Sequence, residues 1–167
     1  MDGISSVNKI TDQGDVKKKL ARIIRGKVII LGVGNDLRGD DGVGSLLAKG
    51  LKGMVKGIVY DGGVSPENYI GKIIKEKPDI ILIVDALDMG GEPGKVAIFE
   101  PEQLGRDEFS THHLSLPLLA EIIGSQIRTQ IYTIGVQPER TKFGEGLSPS
   151  VGRTLEGLKQ VLAELLA

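Results

Sequence analysis

The stretch that most restricts this chain runs from Lys27 to Leu51. It opens with the apolar run Val28-Ile29-Ile30-Leu31 and breaks at Gly32-Val33-Gly34. It then passes through Asn35-Asp36-Leu37-Arg38-Gly39 to the paired carboxylates Asp40-Asp41, and resumes as Gly42-Val43-Gly44-Ser45-Leu46-Leu47. A short β-branched run bounded by glycine reads as a strand buried on both faces. The apolar spacing after Val43 reads as a helix. Strand, tight loop and helix in that order form the opening unit of an α/β fold. Gly32 and Gly34 match the first half of a dinucleotide fingerprint, but Leu37 stands where the third glycine belongs. Asp40 and Asp41 lie where a pyrophosphate would sit, and two carboxylates there repel a dianion. The loop suits a cation better than a phosphate.

Three more apolar runs repeat the pattern. Gly57–Asp61 closes at Gly62-Gly63, Asp79–Ala86 is the strongest strand in the chain, and Thr129–Val136 is the last; a short strand at Lys95–Phe99 intervenes. Helices are predicted between them. One starts at Ser65-Pro66, one runs from His112 with Pro117 near its first turn, and one starts at Ser148-Pro149, each of the serines read as a cap before proline. Alternating strands and helices predict a single three-layer α/β/α domain over residues 27–167. Its central sheet is mostly parallel, has about five strands and carries helices on both faces. The first three of these strands are expected in the order 2-1-3, which puts Asp85 at the carboxyl end of a central strand beside the loop of Asp41. Residues 1–26 are an extension, helical where Val16, Leu20, Ile23 and Ile24 share a face, with Asp15 as N-cap and Gly26 as stop.

The 167 residues carry a formal net charge of -1 and no cysteine. The charge gives no case for nucleic acid or an acidic membrane surface. The missing cysteine excludes disulfides, thiol proteases and thiolate-ligated zinc. No apolar run approaches a bilayer span, and the N-terminus lacks the pattern of a signal peptide, so a soluble protein is expected. Asp41, Asp85 and one of the two histidines, His112, fall at loop or strand ends on one side of the predicted sheet. Two carboxylates and an imidazole make an open, oxygen- and nitrogen-donating set suited to zinc, nickel, manganese or iron. Each also has an ordinary reading: Asp40 or Asp41 as a helix cap, Asp85 as a turn former, His112 as a cap, Gly62-Gly63 as a tight turn.

Taken together, several separated blocks resemble the hydrogenase maturation endopeptidases. They are Gly32-Val33-Gly34-Asn35 with Asp40-Asp41-Gly42-Val43-Gly44, then Asp61-Gly62-Gly63, then Val84-Asp85-Ala86. Ser110-Thr111-His112-His113-Leu114-Ser115-Leu116 follows, and Gly135-Val136-Gln137-Pro138-Glu139 with Gly146-Leu147-Ser148-Pro149 completes the series. The resemblance spans roughly residues 27–165, and the histidine block resembles the hydrogenase-3 branch. It implies a cytoplasmic peptidase that removes the C-terminal extension of the large-subunit precursor of a nickel–iron hydrogenase after nickel insertion. It further implies that Asp41, Asp85 and His112 contact nickel supplied by the substrate, with no tightly bound cofactor of the enzyme's own. Asn35, Asp40, Gly62 and Gly63 are expected to contact substrate. Two other readings compete: a nickel-binding assembly factor that does not cut, and a nucleotide-binding module.

Overall fold

The computed structural model describes residues 9–10, 13–105 and 115–167. One sheet organises them, built from β1 (Lys9–Ile10), β2 (Val28–Val33), β3 (Ile58–Gly63), β4 (Ile80–Ala86), β5 (Val96–Phe99) and β6 (Gln130–Val136) in the order β1-β5-β6-β4-β2-β3. Neighbours among β3, β2, β4 and β6 pair in parallel, while β5 runs antiparallel to β6 and β1 antiparallel to β5. The expected 2-1-3 order is therefore present as β3-β2-β4, with β4 interior. The sheet has one strand more than the five expected. The addition is β1, two residues paired with Val96 and Ala97, too short to leave a periodic signal in the sequence.

The apolar runs of β2 and β4 are buried residue by residue, because helices cover both faces. Val28, Ile30, Ile80, Leu82 and Val84 pack with α1 (Gln13–Ile23), α2 (Val43–Leu51) and α5 (Pro149–Leu165). Ile29, Leu31, Ile81 and Ile83 pack with α3 (Ile70–Glu76) and α4 (Leu116–Gly124) on the other side. The period-two alternation of a strand divides one continuous apolar run between two cores. Val16 and Leu20 of α1 are buried in the first of them.

Helix starts differ in detail from the sequence reading. Asp15 lies inside the first turn of α1 and is not its N-cap. α4 is described from Leu116, where the Ser115 hydroxyl accepts from the Leu118 N–H at 3.3 Å and caps the helix; the start expected at His112 lies outside the described residues. Ser65 is the N-cap of a 3-10 turn, Pro66–Tyr69, that precedes α3, and Ser148 that of α5, neither accepting a capping bond. Ser148 uses its hydroxyl elsewhere. No helix among the described residues is long and apolar enough to cross a membrane.

Candidate active site

The β2–β4 pairing ends at Gly32 and Val84, and at that point β2 shifts register against β3. Asp85 is thus the first residue of β4 beyond its last β2 partner. It remains in register with Gly135 of β6 and is fully buried. Here the sheet splits at the carboxyl ends of its strands, which is where open α/β sheets form their ligand crevice.

Glycine brings the loop of Asp41 to the same place. A Cβ on Gly44 would lie 2.0 Å from the Val84 carbonyl oxygen and 2.4 Å from that of Val33, both rigid backbone atoms. Only glycine lets the first turn of α2 rest on the ends of β2 and β4 together. The short 3-10 turn Gly39–Gly42 precedes it and contacts β4. Asp41 lies in this turn, nearly buried, and accepts from the Asn35 N–H at 3.1 Å. The Asn35 side chain turns back on its own loop, its Oδ1 accepting from Leu37 N–H at 2.9 Å.

Asp40, beside Asp41, has a different assignment. It is fully buried. Its Oδ1 accepts from Ser148 N–H at 2.7 Å, and its Oδ2 accepts from the Ser148 hydroxyl at 2.7 Å, Glu139 N–H at 2.8 Å and Arg140 N–H at 3.1 Å. Burial pushes this carboxyl up, but the backbone donors of Ser148, Glu139 and Arg140 and the Ser148 hydroxyl together outweigh it and hold the group below the ordinary carboxylate value. The expected role of Asp40 as a cap of α2 gives way to that of a brace. Its oxygens are occupied by the 139–148 segment, and α2 has no side-chain cap.

Gly62 and Gly63 end β3. Gly63 N–H and Ser45 hydroxyl both donate to Asp61 Oδ1, at 3.1 and 2.7 Å, and the Gly63 carbonyl accepts from Gly34 N–H at 2.8 Å. The pair closes the β2 and β3 ends against each other. Lys49 lies between Asp36 and Asp61; the Asp36 carboxylate holds its ammonium above the ordinary lysine range, Asp61 adds to this, and slight burial opposes it. On the far side of β4, the nearly buried Gln137 accepts from Met89 N–H at 2.6 Å and Gly91 N–H at 3.2 Å, and donates to Asp88 Oδ1 at 3.2 Å. This pins the loop that follows Asp85.

The structure thus brings the Asp41 turn and Asp85 to one edge, and His112 lies outside the described residues. Among the described residues no three His, Asp or Glu side chains form a group able to hold a metal. Ser148 and Gln137 are the structural participants that residue-by-residue reading missed. Both fall inside the family-like blocks Gly146–Pro149 and Gly135–Glu139, the one signal of them in the sequence.

An open, mostly parallel sheet with buried carboxylates at its switch point defines an α/β protein with an acidic edge. Comparison with known proteins narrows the class. The family model described as hydrogenase maturation protease matches residues 43–164. The Escherichia coli K12 protein named hydrogenase 3 maturation protease is 36% identical over 137 residues, covering 80% of this chain and 87% of that one. A crystal structure of a NiFe hydrogenase maturation protease, HycI, from Thermococcus kodakarensis superposes with a TM-score of 0.82 at 38% identity, covering 89% of this chain and 98% of that one. The hydrogenase maturating endopeptidase HybD from E. coli gives a TM-score of 0.69 at 26% identity, covering 83% and 91%. The chain belongs to the hydrogenase maturation proteases, and is therefore a hydrolase of the peptidase class.

Proposed function

We propose that this enzyme removes the C-terminal extension of the large-subunit precursor of a nickel–iron hydrogenase after nickel insertion. In this reading Asp41, Asp85 and His112 recognise the inserted nickel. The observation that carries it is the meeting of the Asp41 turn with the end of β4 at the split between β2 and β4, where Asp85 follows the last paired residue. The printed names of the relatives support it. On this reading the enzyme works in the cytoplasm on a protein partner, without nucleic acid, membrane insertion or a tightly bound cofactor of its own.

Two aspartates and a histidine offer hard oxygen donors and one imidazole, half of a coordination sphere. A metal that arrives with the substrate supplies the remainder through the substrate's own ligands. The residues of this chain then hold the scissile segment at a fixed distance from the carboxylates, which is the positioning on which a cleavage rate depends. Two chemistries are open to them: a carboxylate acting as general base toward water, or carbonyl polarisation by the substrate's metal.

The test is a gel-shift cleavage assay with nickel-loaded and nickel-free precursor. Cleavage of the loaded form alone is expected. Equal cleavage of both removes nickel from recognition. Binding of nickel-loaded precursor without cleavage favours a non-proteolytic assembly factor.

A further inference from the structure

We propose that Leu37 and Phe143 form a rigid apolar jaw that grips an apolar segment of the precursor flanked by carboxylates. The inference rests on the proteolytic reading above and adds the surface that holds the substrate's folded body. Asp41 is nearly buried and Asp85 fully so, leaving those side chains little area with which to hold a protein. Affinity has to come from surface next to them.

The loop that carries Asp41 and the segment bonded to it supply that surface. Residues 34–42 and 137–148 are stitched by Gly39 N–H to the Glu145 carbonyl (3.0 Å), Asp40 N–H to the Arg140 carbonyl (2.8 Å) and Gly144 N–H to the Leu37 carbonyl (2.8 Å). The four donors on the Asp40 carboxylate complete the seam. Gly39, at φ +52°, lets the backbones meet, since a Cβ there would lie 2.6 Å from the Arg140 carbonyl oxygen. The last of the three backbone bonds sets the Phe143-Gly144 peptide against Leu37. This braced base carries Phe143, 72% exposed, and Leu37, 59% exposed, the two most exposed large apolar residues among those described.

Charge selects the occupant. Among the acids near the tips, Asp36 is paired with Lys49 and Glu145 with Arg140. Arg38 and Lys142, each next in sequence to an apolar tip, make no ion pair among the described residues. Glu139 is the remaining exposed acid and sits at the base, where its N–H meets Asp40. The tips therefore offer two apolar side chains, each next in sequence to an available cation, complementary to an apolar residue beside acidic ones. An apolar centre with a polar rim is the usual anatomy of a protein interface.

The test uses full-length enzyme and nickel-loaded precursor, with equilibrium binding and cleavage kinetics measured separately. Leu37→Ser with Phe143→Ser should raise Kd and KM at least about tenfold while kcat and thermal melting stay as in wild type. Arg38→Glu with Lys142→Glu should weaken binding in the same way, and more so at low salt. Unchanged Kd and KM in the serine double variant overturn the jaw and leave the proteolytic reading standing. Wild-type binding without cleavage overturns the proteolytic reading, while the serine variant's Kd still decides the jaw. No binding by wild type overturns both. Should the wild type instead self-associate through these residues, with precursor binding unaffected by their substitution, the surface belongs to a second copy and the proposal fails.

Discussion

The two ends of the parallel strands are built from the same residue type in opposite ways. At the amino ends, Asp79 is exposed and accepts from Lys27 N–H at 2.7 Å, beside a surface ion pair of Lys27 with Glu76. At the carboxyl ends, Asp40 and Asp85 are fully buried and Asp41 nearly so. An exposed aspartate closing a turn contributes little and costs little. A buried carboxylate carries a large desolvation penalty unless donors offset it. A chain that needed only to be stable would have little reason to collect three such groups at one edge. The contrast separates the end of the sheet that holds the fold from the end that the proposed chemistry uses. It also divides the carboxyl edge itself, where Asp40 is saturated by the protein's own donors and Asp41 lies beside it on the crevice turn.

The comparison is broken most sharply at the crevice. Asp85→Asn or Asp41→Asn should reduce cleavage of nickel-loaded precursor by more than about a hundredfold while circular dichroism shows the fold retained. Either variant cleaving as wild type would place the chemistry elsewhere. Asp40→Ala comes next. It should lower unfolding free energy by about 3 kcal/mol, because four donors, the two of Ser148 buried and those of Glu139 and Arg140 part-buried, lose their acceptor, with chemical denaturation as the measurement. A loss no larger than that of a surface residue would show that Asp40 is no brace.

The acid response sharpens the same point. The Asp40 carboxyl is held below its ordinary value of 3.8, so the unfolded chain takes up this proton before the native one. The stabilisation is fully present above the unfolded value and is lost as pH falls through the native one. The stability difference between wild type and Asp40→Asn should therefore stay level from neutral pH down to about 5 and shrink below 3.8, followed by urea unfolding at each pH. At the other end, Asp79→Ala should cost about 1 kcal/mol or less and leave cleavage untouched. An activity loss there would erase the distinction between the two ends.

Sequence alone determined the framework, because its causes are local or periodic. The unbroken apolar runs of β2 and β4 predict strands covered on both faces, and the crossover rules turn their succession into the β3-β2-β4 order. That order by itself puts Asp41 and Asp85 at one edge. Tertiary structure alone decided the role of Asp40. Its donors come from Glu139, Arg140 and Ser148, about a hundred residues along the chain, and no local pattern tells a cap from a brace reached across that distance. The same holds for Ser148, whose place before a proline predicts a helix cap although its hydroxyl serves Asp40. It holds for Gln137 pinning Met89 and Gly91, and for β1, whose two residues become a strand only because β5 offers an edge. Periodicity reports which side of an element is buried. Which loops meet, and which polar group satisfies which, is fixed only when the sheet brings distant segments together.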